Sequence, residues 1–320
     1  VSVTATDSVG NSSTATQALI VDLTPPAILI DSGLTDATND LSPTISGATD
    51  VAVGNSVRFT LALADAVPEF VLVRTALIQD GGVWDFTPTL SVGVWTIVAE
   101  VSDPAGNSGT FTQVLTVDVD APDVAITSDA LTNESMPTIT GTTDADATIA
   151  VSIDGVVLTD VVLDGIVWSA TATNELVDGN RNVSVTATDP VGNTTTATQT
   201  LTVDTTPPEV SINGGTTRST NIVYPTTIGG TIGVDAVQAV KVTVTNADSG
   251  NIEPPYLFTV LTDQNWEFDQ FLPDGVWTIV AEATDAAGNV GLFIQTLTID
   301  TTPPVVAITS SALTADSTPT

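Results

Sequence analysis

The 320-residue sequence contains no cysteine and no histidine. That removes thiol and imidazole nucleophiles, Ser-His-Asp triads and the usual ligands of zinc, copper and haem, and leaves hard-cation chemistry. Basic residues are nearly missing as well. Five Lys and Arg, with Lys241 the one lysine, stand against 38 Asp and Glu, giving a formal charge of −33. Such a chain repels a phosphate backbone and an anionic membrane surface, so neither nucleic acid nor direct membrane insertion is expected of it. No apolar run approaches the roughly 20 residues of a membrane helix, and no signal peptide opens the sequence. The lack of cysteine suits a cytosolic or an exported protein equally. Aromatic residues make up 5% and charged residues 13%; what remains is dominated by Thr, Val, Ala and Asp, a β-rich alphabet poor in helix formers. The acidity itself favours solubility, cation binding or life in salty water.

Internal repetition organises the chain. Val1-Ser-Val-Thr-Ala-Thr-Asp7 recurs as Val183 to Asp189, and Gly93-Val-Trp-Thr-Ile-Val-Ala-Glu100 recurs as Gly275 to Glu282, both at an offset of 182 residues. A shorter rhythm is marked by Asp22-Leu-Thr-Pro-Pro26, Asp118-Val-Asp-Ala-Pro122, Asp204-Thr-Thr-Pro-Pro208 and Asp300-Thr-Thr-Pro-Pro304, spaced 96, 86 and 96 residues apart. Two domain types, long and short, therefore alternate. The spacing predicts a long domain over 22–117, a short one over 118–203 and a long one over 204–299. Residues 1–21 match the end of a short domain and 300–320 the beginning of another, so the sequence is expected to be a window on a longer array.

Within the short domain, 123–127, 137–140, 148–153, 156–158, 166–171, 181–188 and 194–203 read as strands rich in β-branched residues. In Val183-Ser-Val185-Thr-Ala187 the odd positions are expected to face inward. Asp154-Gly155 signals a two-residue hairpin, and Asp178-Gly-Asn180 and Asp189-Pro-Val-Gly-Asn193 signal wider turns. About seven short strands per 86 to 96 residues, without helical periodicity, predict an all-β fold of tandem immunoglobulin-like antiparallel β-sandwiches in a linear array. Trp84, Trp168 and Trp266 are expected to be buried equivalents, with Trp95 and Trp277 added in the long type. Exposed indoles would instead make a sugar-stacking platform.

Gly-x-x-Trp leading into a strand, then Thr-Ala-Thr-Asp-x-x-Gly-Asn, then Thr-x-Thr-Val-Asp-Thr-Thr-Pro-Pro, resembles the bacterial Ig-like repeats that build extender regions of giant surface adhesins and biofilm-associated proteins. The resemblance covers essentially the whole chain. It implies secretion by a type I route, an extracellular or cell-surface location, calcium-rigidified domain junctions and a binding tip elsewhere in the polypeptide.

An Ig-like sandwich of this strand order places the loop between its last two strands at the pole of the incoming linker. Asp189 and Asn193 are then expected near Asp118 and Asp120, with Asp144 and Asp146 at the same pole. The long domains offer Asp22, Asp103 and Asn107, and Asp204, Asp285 and Asn289, with Asp50 and Asp235 as further loop donors. Oxygen ligands converging from flexible loops, some of them neutral, suit calcium better than magnesium. Against this, Asp-x-x-Gly-Asn also makes a good turn, and Asp ahead of Thr-Pro-Pro can bond its own backbone. The proline pair fixes φ and stiffens a short linker. The leading function is thus a stiff, calcium-stabilised spacer in an adhesin or biofilm-matrix protein, its partners being neighbouring repeats of the same chain. The alternative is a self-assembling filament or sheath of identical chains, for which Tyr224, Tyr256, Leu257 and Phe258 are candidate contact residues. An enzyme is not expected, because the acids recur with the repeat at turns and form no single carboxylate pair.

Overall fold

The structure is a computed structural model and describes residues 1–320 apart from 34, 67–68, 223–225, 234–235, 251–255, 260–263 and 308–320, and without side chains at 237–238 and 256–259. Asp235 and Tyr224 therefore lie outside the described residues, as do the side chains of Tyr256, Leu257 and Phe258.

Every helix or strand among the described residues is a strand. An opening hairpin pairs β1 (Ser2–Thr6) with β2 (Ser12–Thr16). Eight strands follow: β3 (Ile28–Ile30), β4 (Thr35–Thr38), β5 (Ile45–Thr49), β6 (Ser56–Leu63), β7 (Phe70–Leu77), β8 (Val83–Phe86), β9 (Gly93–Ser102) and β10 (Ser108–Val117). They form a three-stranded sheet, β3-β5-β8, and a five-stranded sheet, β4-β10-β9-β6-β7. The middle set is β11 (Val124–Ile126), β12 (Leu131–Thr132), β13 (Thr138–Thr143), β14 (Thr148–Ile153), β15 (Val156–Val157), β16 (Val161–Asp164), β17 (Val167–Thr171), β18 (Gly179–Thr188) and β19 (Thr194–Val203). Its sheets run β11-β13-β17-β16 and β12-β19-β18-β14-β15. The last set is β20 (Val210–Ile212), β21 (Thr217–Thr220), β22 (Thr226–Ile232), β23 (Ala236–Asn246), β24 (Tyr256–Thr259), β25 (Asn265–Gln270), β26 (Gly275–Asp285) and β27 (Val290–Ile299). Its sheets, β20-β22-β25 and β21-β27-β26-β23-β24, repeat the order of the first set.

The chain divides into two compact units, 1–125 with 142–150 and 186–197, and 126–141 with 151–185 and 198–320; the division passes through the middle set. Each set is nevertheless built on one plan. The entering strand is split, its first half lying in the smaller sheet and its second half pairing parallel to the last strand of the larger sheet, as β4 does with β10, β12 with β19 and β21 with β27. The long pairs β9–β10, β26–β27 and β6–β9 are antiparallel, as in tandem Ig-like sandwiches.

Alternation explains the cores. Along β9 every second residue from Trp95 to Val101 is buried, as are Val183, Val185 and Ala187 on β18 and Trp277 to Ala283 on β26. Trp84, Trp168 and Trp266 are buried at 1%, 0% and 4% exposure, which excludes a sugar platform built from them. Phe59 stacks on Phe86 with centroids 4.0 Å apart and meets Trp84 at 5.0 Å. Trp84 needs a glycine opposite it: a Cβ on Gly47 would sit 2.2 Å from its Cζ2. Trp95 and Trp277, also buried, donate their indole N–H to the carbonyls of Ser91 and Pro273 at 2.9 and 3.0 Å.

A glutamine on each closing strand ties down the break in the entering strand. The Nε2 group of Gln113 donates to Ser32 Oγ (2.5 Å), that of Gln199 to the Ser128 carbonyl (3.0 Å), and that of Gln295 to the Asn213 and Gly215 carbonyls (2.9 and 2.7 Å). These amides supply donors that the interrupted strand no longer provides for itself.

Candidate functional site at the junctions

The loop Asp-x-x-Gly-Asn between the last two strands is a self-contained turn. In Asp103 to Asn107, Oδ1 of the aspartate accepts the Ala105 and Asn107 amides (both 2.9 Å), while Oδ2 accepts Asn107 Nδ2 (2.8 Å). Asp189 repeats this with Val191 and Asn193; Asp7 does so with Val9 and Asn11. Asp285 accepts both the backbone and side-chain amides of Asn289 at 2.8 Å. The asparagine side-chain bond is the main cause holding the Asp7 and Asp103 carboxyls below the usual carboxylate range. At Asp189 desolvation is the largest influence and pushes upward, and the combined bonds from Asn193, Gly192 and Val191 outweigh it, so its carboxyl too lies low.

The second amide hydrogen of Asn107, Asn193 and Asn289 reaches the incoming linker. Asn107 Nδ2 donates to the backbone carbonyl of Asp22 (3.1 Å), Asn193 Nδ2 to that of Asp118 (3.0 Å) and of Asp120 (3.3 Å), and Asn289 Nδ2 to that of Asp204 (2.7 Å). From the other side, the linker aspartate is held by the preceding sandwich: the amides of Asp118, Asp204 and Asp300 donate to the carbonyls of Thr38, Thr132 and Thr220 at 2.9, 2.9 and 3.1 Å. Those threonines end the short parallel strands β4, β12 and β21, so the parallel ladder runs one residue past the sandwich. At Asp118 and Asp204 the two backbone groups of one residue thus bridge two sandwiches.

The linker carboxylates cap their own turn. Oδ1 of Asp22, Asp118, Asp204 and Asp300 accepts the amide two residues on, at 3.0, 3.0, 3.2 and 2.9 Å, an Asx-turn. Asp50 accepts the Ala27 amide and Asp144 that of Asp123, both at 2.9 Å, tying the loop after β5 or β13 to the end of the linker. Asp146 is exposed with a left-handed φ of 68°. Packing completes the joint: Pro26, Pro122 and Pro208 are buried, and a Cβ on Gly109 or Gly291 would fall 1.9 Å from the carbonyl oxygen of Pro26 or Pro208.

The aspartates and asparagines singled out from the sequence therefore meet from separate chain segments, but through amides and carbonyls. Both oxygens of Asp103 and Asp189 accept amide hydrogens, and each asparagine turns its nitrogen towards the linker. Among the described residues, no three acidic side chains converge closely enough to hold a metal ion. The arrangement is a hydrogen-bonded clamp of amides, carbonyls and carboxylates.

Two aspartates have a part in the junctions that the sequence did not suggest, although Asp178 was expected in a turn. Asp178, in the turn before β18, accepts the Thr205 amide and hydroxyl on Oδ1 (2.9 and 2.7 Å) and the Thr206 hydroxyl on Oδ2 (2.6 Å). Asp274, before β26, accepts the amide and hydroxyl of Thr301. The signal available was the joint recurrence of Asp-Gly ahead of the strand and Asp-Thr-Thr in the linker.

A bacterial Ig-like domain model matches residues 28–121, 122–205 and 211–301, and a second bacterial Ig-like model, group 3, matches 166–247. The chain is a run of Ig-like repeats, and it belongs to the bacterial Ig-like domain family. It is 28% identical to hyalin of Strongylocentrotus purpuratus over 94% of its own length, and it spans 23% of the length of that relative. Similar solved structures include a tetra-tandem repeat from the extending region of a large adhesion protein (25% identity, 94% of this chain and 81% of that one, TM-score 0.33). A 1.5-MDa bacterial ice-binding adhesin is 21% identical over 87% of this chain and all of that one, with a TM-score of 0.37. Among the described residues no helix is long and apolar enough to cross a membrane.

Proposed function

We propose that this chain is a stiff spacer segment of a long extracellular adhesin or biofilm-matrix protein, made of a long, a short and a long sandwich over 22–117, 118–203 and 204–299 with parts of short sandwiches on either side. The observation that carries the reading is the bridging aspartate: at Asp118 and Asp204 the backbone amide is bonded to the sandwich behind and the carbonyl to the sandwich ahead. A linker whose polar groups are committed to both neighbours, and whose prolines fix φ, has little freedom to swing. Nothing in such a joint calls for catalysis; its acids serve turns and clamps. Small-angle scattering of the full chain tests the reading. A fixed maximum dimension is expected, shortening or blurring in the Asn193→Ala, Asn289→Ala double variant; a parent chain that already scatters as freely jointed beads would refute it.

Calcium is proposed as a second, lesser contribution. Asp22 and Asp120 are exposed, and Asp118 and Asp204 are half-buried, on a chain of charge −33. A divalent cation drawn to these linker carboxylates relieves repulsion around a joint the amides already close. The filament alternative finds some support in the edge strand β7, where Phe70, Val71, Val73 and Leu77 are exposed. Arg74 pairs with Phe59 in register and so projects a charge from the core-facing side of that edge, a device that discourages edge-to-edge pairing. The spacer is therefore preferred.

A further inference from the structure

We propose that the junctions are of two kinds, locked and unlocked, and that the joint over Asp118–Pro122 is a built-in swivel. The inference rests on the spacer reading and refines it. At the joint following Val203, the preceding sandwich grips the linker with Asp178, which takes three bonds from Thr205 and Thr206. At the joint following Ile299, Asp274 takes the amide and hydroxyl of Thr301, the first of the two threonines. Shifting by the 182-residue repeat shows what the joint following Val117 carries: Val92 stands where Asp274 does, and Val119 and Asp120 stand where Thr301 and Thr302 do. Acceptor and donors are lost together in one copy of an otherwise close repeat. Val92 is 45% exposed and has no group to offer the linker.

Two further differences act in the same direction. The linker over 118–122 has one proline where the others have two, so more of its backbone is free to rotate. It also brings two carboxylates, Asp118 and Asp120, within two residues of each other, and like charges that close favour a spread linker. What remains at this joint is the Asn193 clamp and the Thr38 bond. These fix the Asp118 backbone and, from the sandwich ahead, the Asp120 carbonyl (3.3 Å), and leave Val119 to Ala121 without a hold from the sandwich behind.

The chain has no cysteine, so introduced pairs report cleanly. Thr112, Thr198 and Ile294 are exposed and stand one residue before Gln113, Gln199 and Gln295 in the three sandwiches. Nitroxide pairs in the full chain at 112 with 198, and at 198 with 294, give distance distributions across the unlocked and the locked joint by pulsed electron resonance. The 112–198 distribution is expected to be the broader. Asp178→Ala, and separately Thr205→Val with Thr206→Val, should broaden the 198–294 distribution to match it. Val92→Asp with Val119→Thr and Asp120→Thr should narrow the 112–198 distribution. Equal narrow widths in the parent, unmoved by these variants, would overturn the swivel and leave the spacer standing. Equal broad widths would overturn both. A variant that lowers the melting temperature of the whole chain is read through the opposite partner, since the valine pair and the alanine remove the same contact from its two ends.

Discussion

Asn289→Ala offers the sharpest measure of what a clamp contributes. Asn289 is 9% exposed, and its amide nitrogen spans 2.7 Å to the Asp204 carbonyl and 2.8 Å to Oδ2 of Asp285, which is itself 4% exposed. Truncation removes a neutral bond of about 1 kcal/mol and a bond to a carboxylate of roughly 1.5–3 kcal/mol, and leaves both acceptors short of a donor in a buried place. A loss of about 3 kcal/mol is expected, equivalent to roughly 12–24 °C in melting temperature for a domain of this size. Because a chain of several sandwiches does not melt in one step, the assay is hydrogen exchange read on peptides from 204–299. Protection there should fall by the stated amount, and the Asp204 amide, bonded to Thr132, should exchange faster as its linker loosens. Asn107→Ala is the internal comparison: its linker bond is longer, 3.1 Å, and its side chain less buried, so the loss in 22–117 should be smaller. If protection in 204–299 stayed within about 0.5 kcal/mol of the parent, the ordinary range for an inert surface change, the clamp would be incidental to stability.

Gly291→Ala should destabilise the third sandwich by about 1–3 kcal/mol, since its Cβ would fall 1.9 Å from the Pro208 carbonyl oxygen; chemical denaturation with tryptophan fluorescence checks this, and an unaffected midpoint would mean the linker yields without cost. The grip of Asp178 should be pH-dependent. The Thr206 hydroxyl is the first of the bonds holding its carboxyl below the usual value of 3.8. A depressed pKa stabilises the closed joint above the ordinary carboxylate value and loses that contribution as pH falls through the lowered one. The 198–294 distance distribution should accordingly stay narrow at neutral pH and broaden only below about pH 3.8; broadening by pH 6 would point to some other group. Removing calcium with a chelator should lower the melting temperature less than Asn289→Ala does, and a larger fall, or a collapse in scattering length, would make the cation the principal stiffener.

Strand positions were largely legible from the residues, because half-buried strands alternate. The expected segment 148–153 is β14, 194–203 is β19, and Asp154-Gly155 turns with both φ positive, 50° and 82°. Two strands were not foreseen. At two residues, β12 is too short to show a period, and β16 shows no alternation, with one of its four residues partly covered and three exposed. At the junctions, the sequence showed which residues would meet and left open through which atoms. Asp189 and Asn193 could serve a cation or a turn equally well on paper, because the same oxygens suit both. In this structure Asn193 presents its nitrogen to the linker carbonyls, a detail of side-chain rotation that residue spacing does not carry. Asp178 was legible as a turn residue, but its hold on the linker, like that of Asp274, was not, because the threonines 27 and 28 residues on lie against it only in the fold.

The parallel pairing of the entering half-strand with the closing strand has a mechanical meaning. A tether pulled at both ends draws β21 and β27 along their own axes in opposite directions, so the ladder from Thr217–Thr296 to Thr220–Ile299 is sheared as a block and not peeled pair by pair. The long sandwiches present four such residue pairs to the load, the short one two, Leu131–Thr202 and Thr132–Val203. Under rising tension the short sandwich is the fuse of the tether. Force–extension traces should show its rupture first and at lower force, lengthening the chain while the long sandwiches keep their grip.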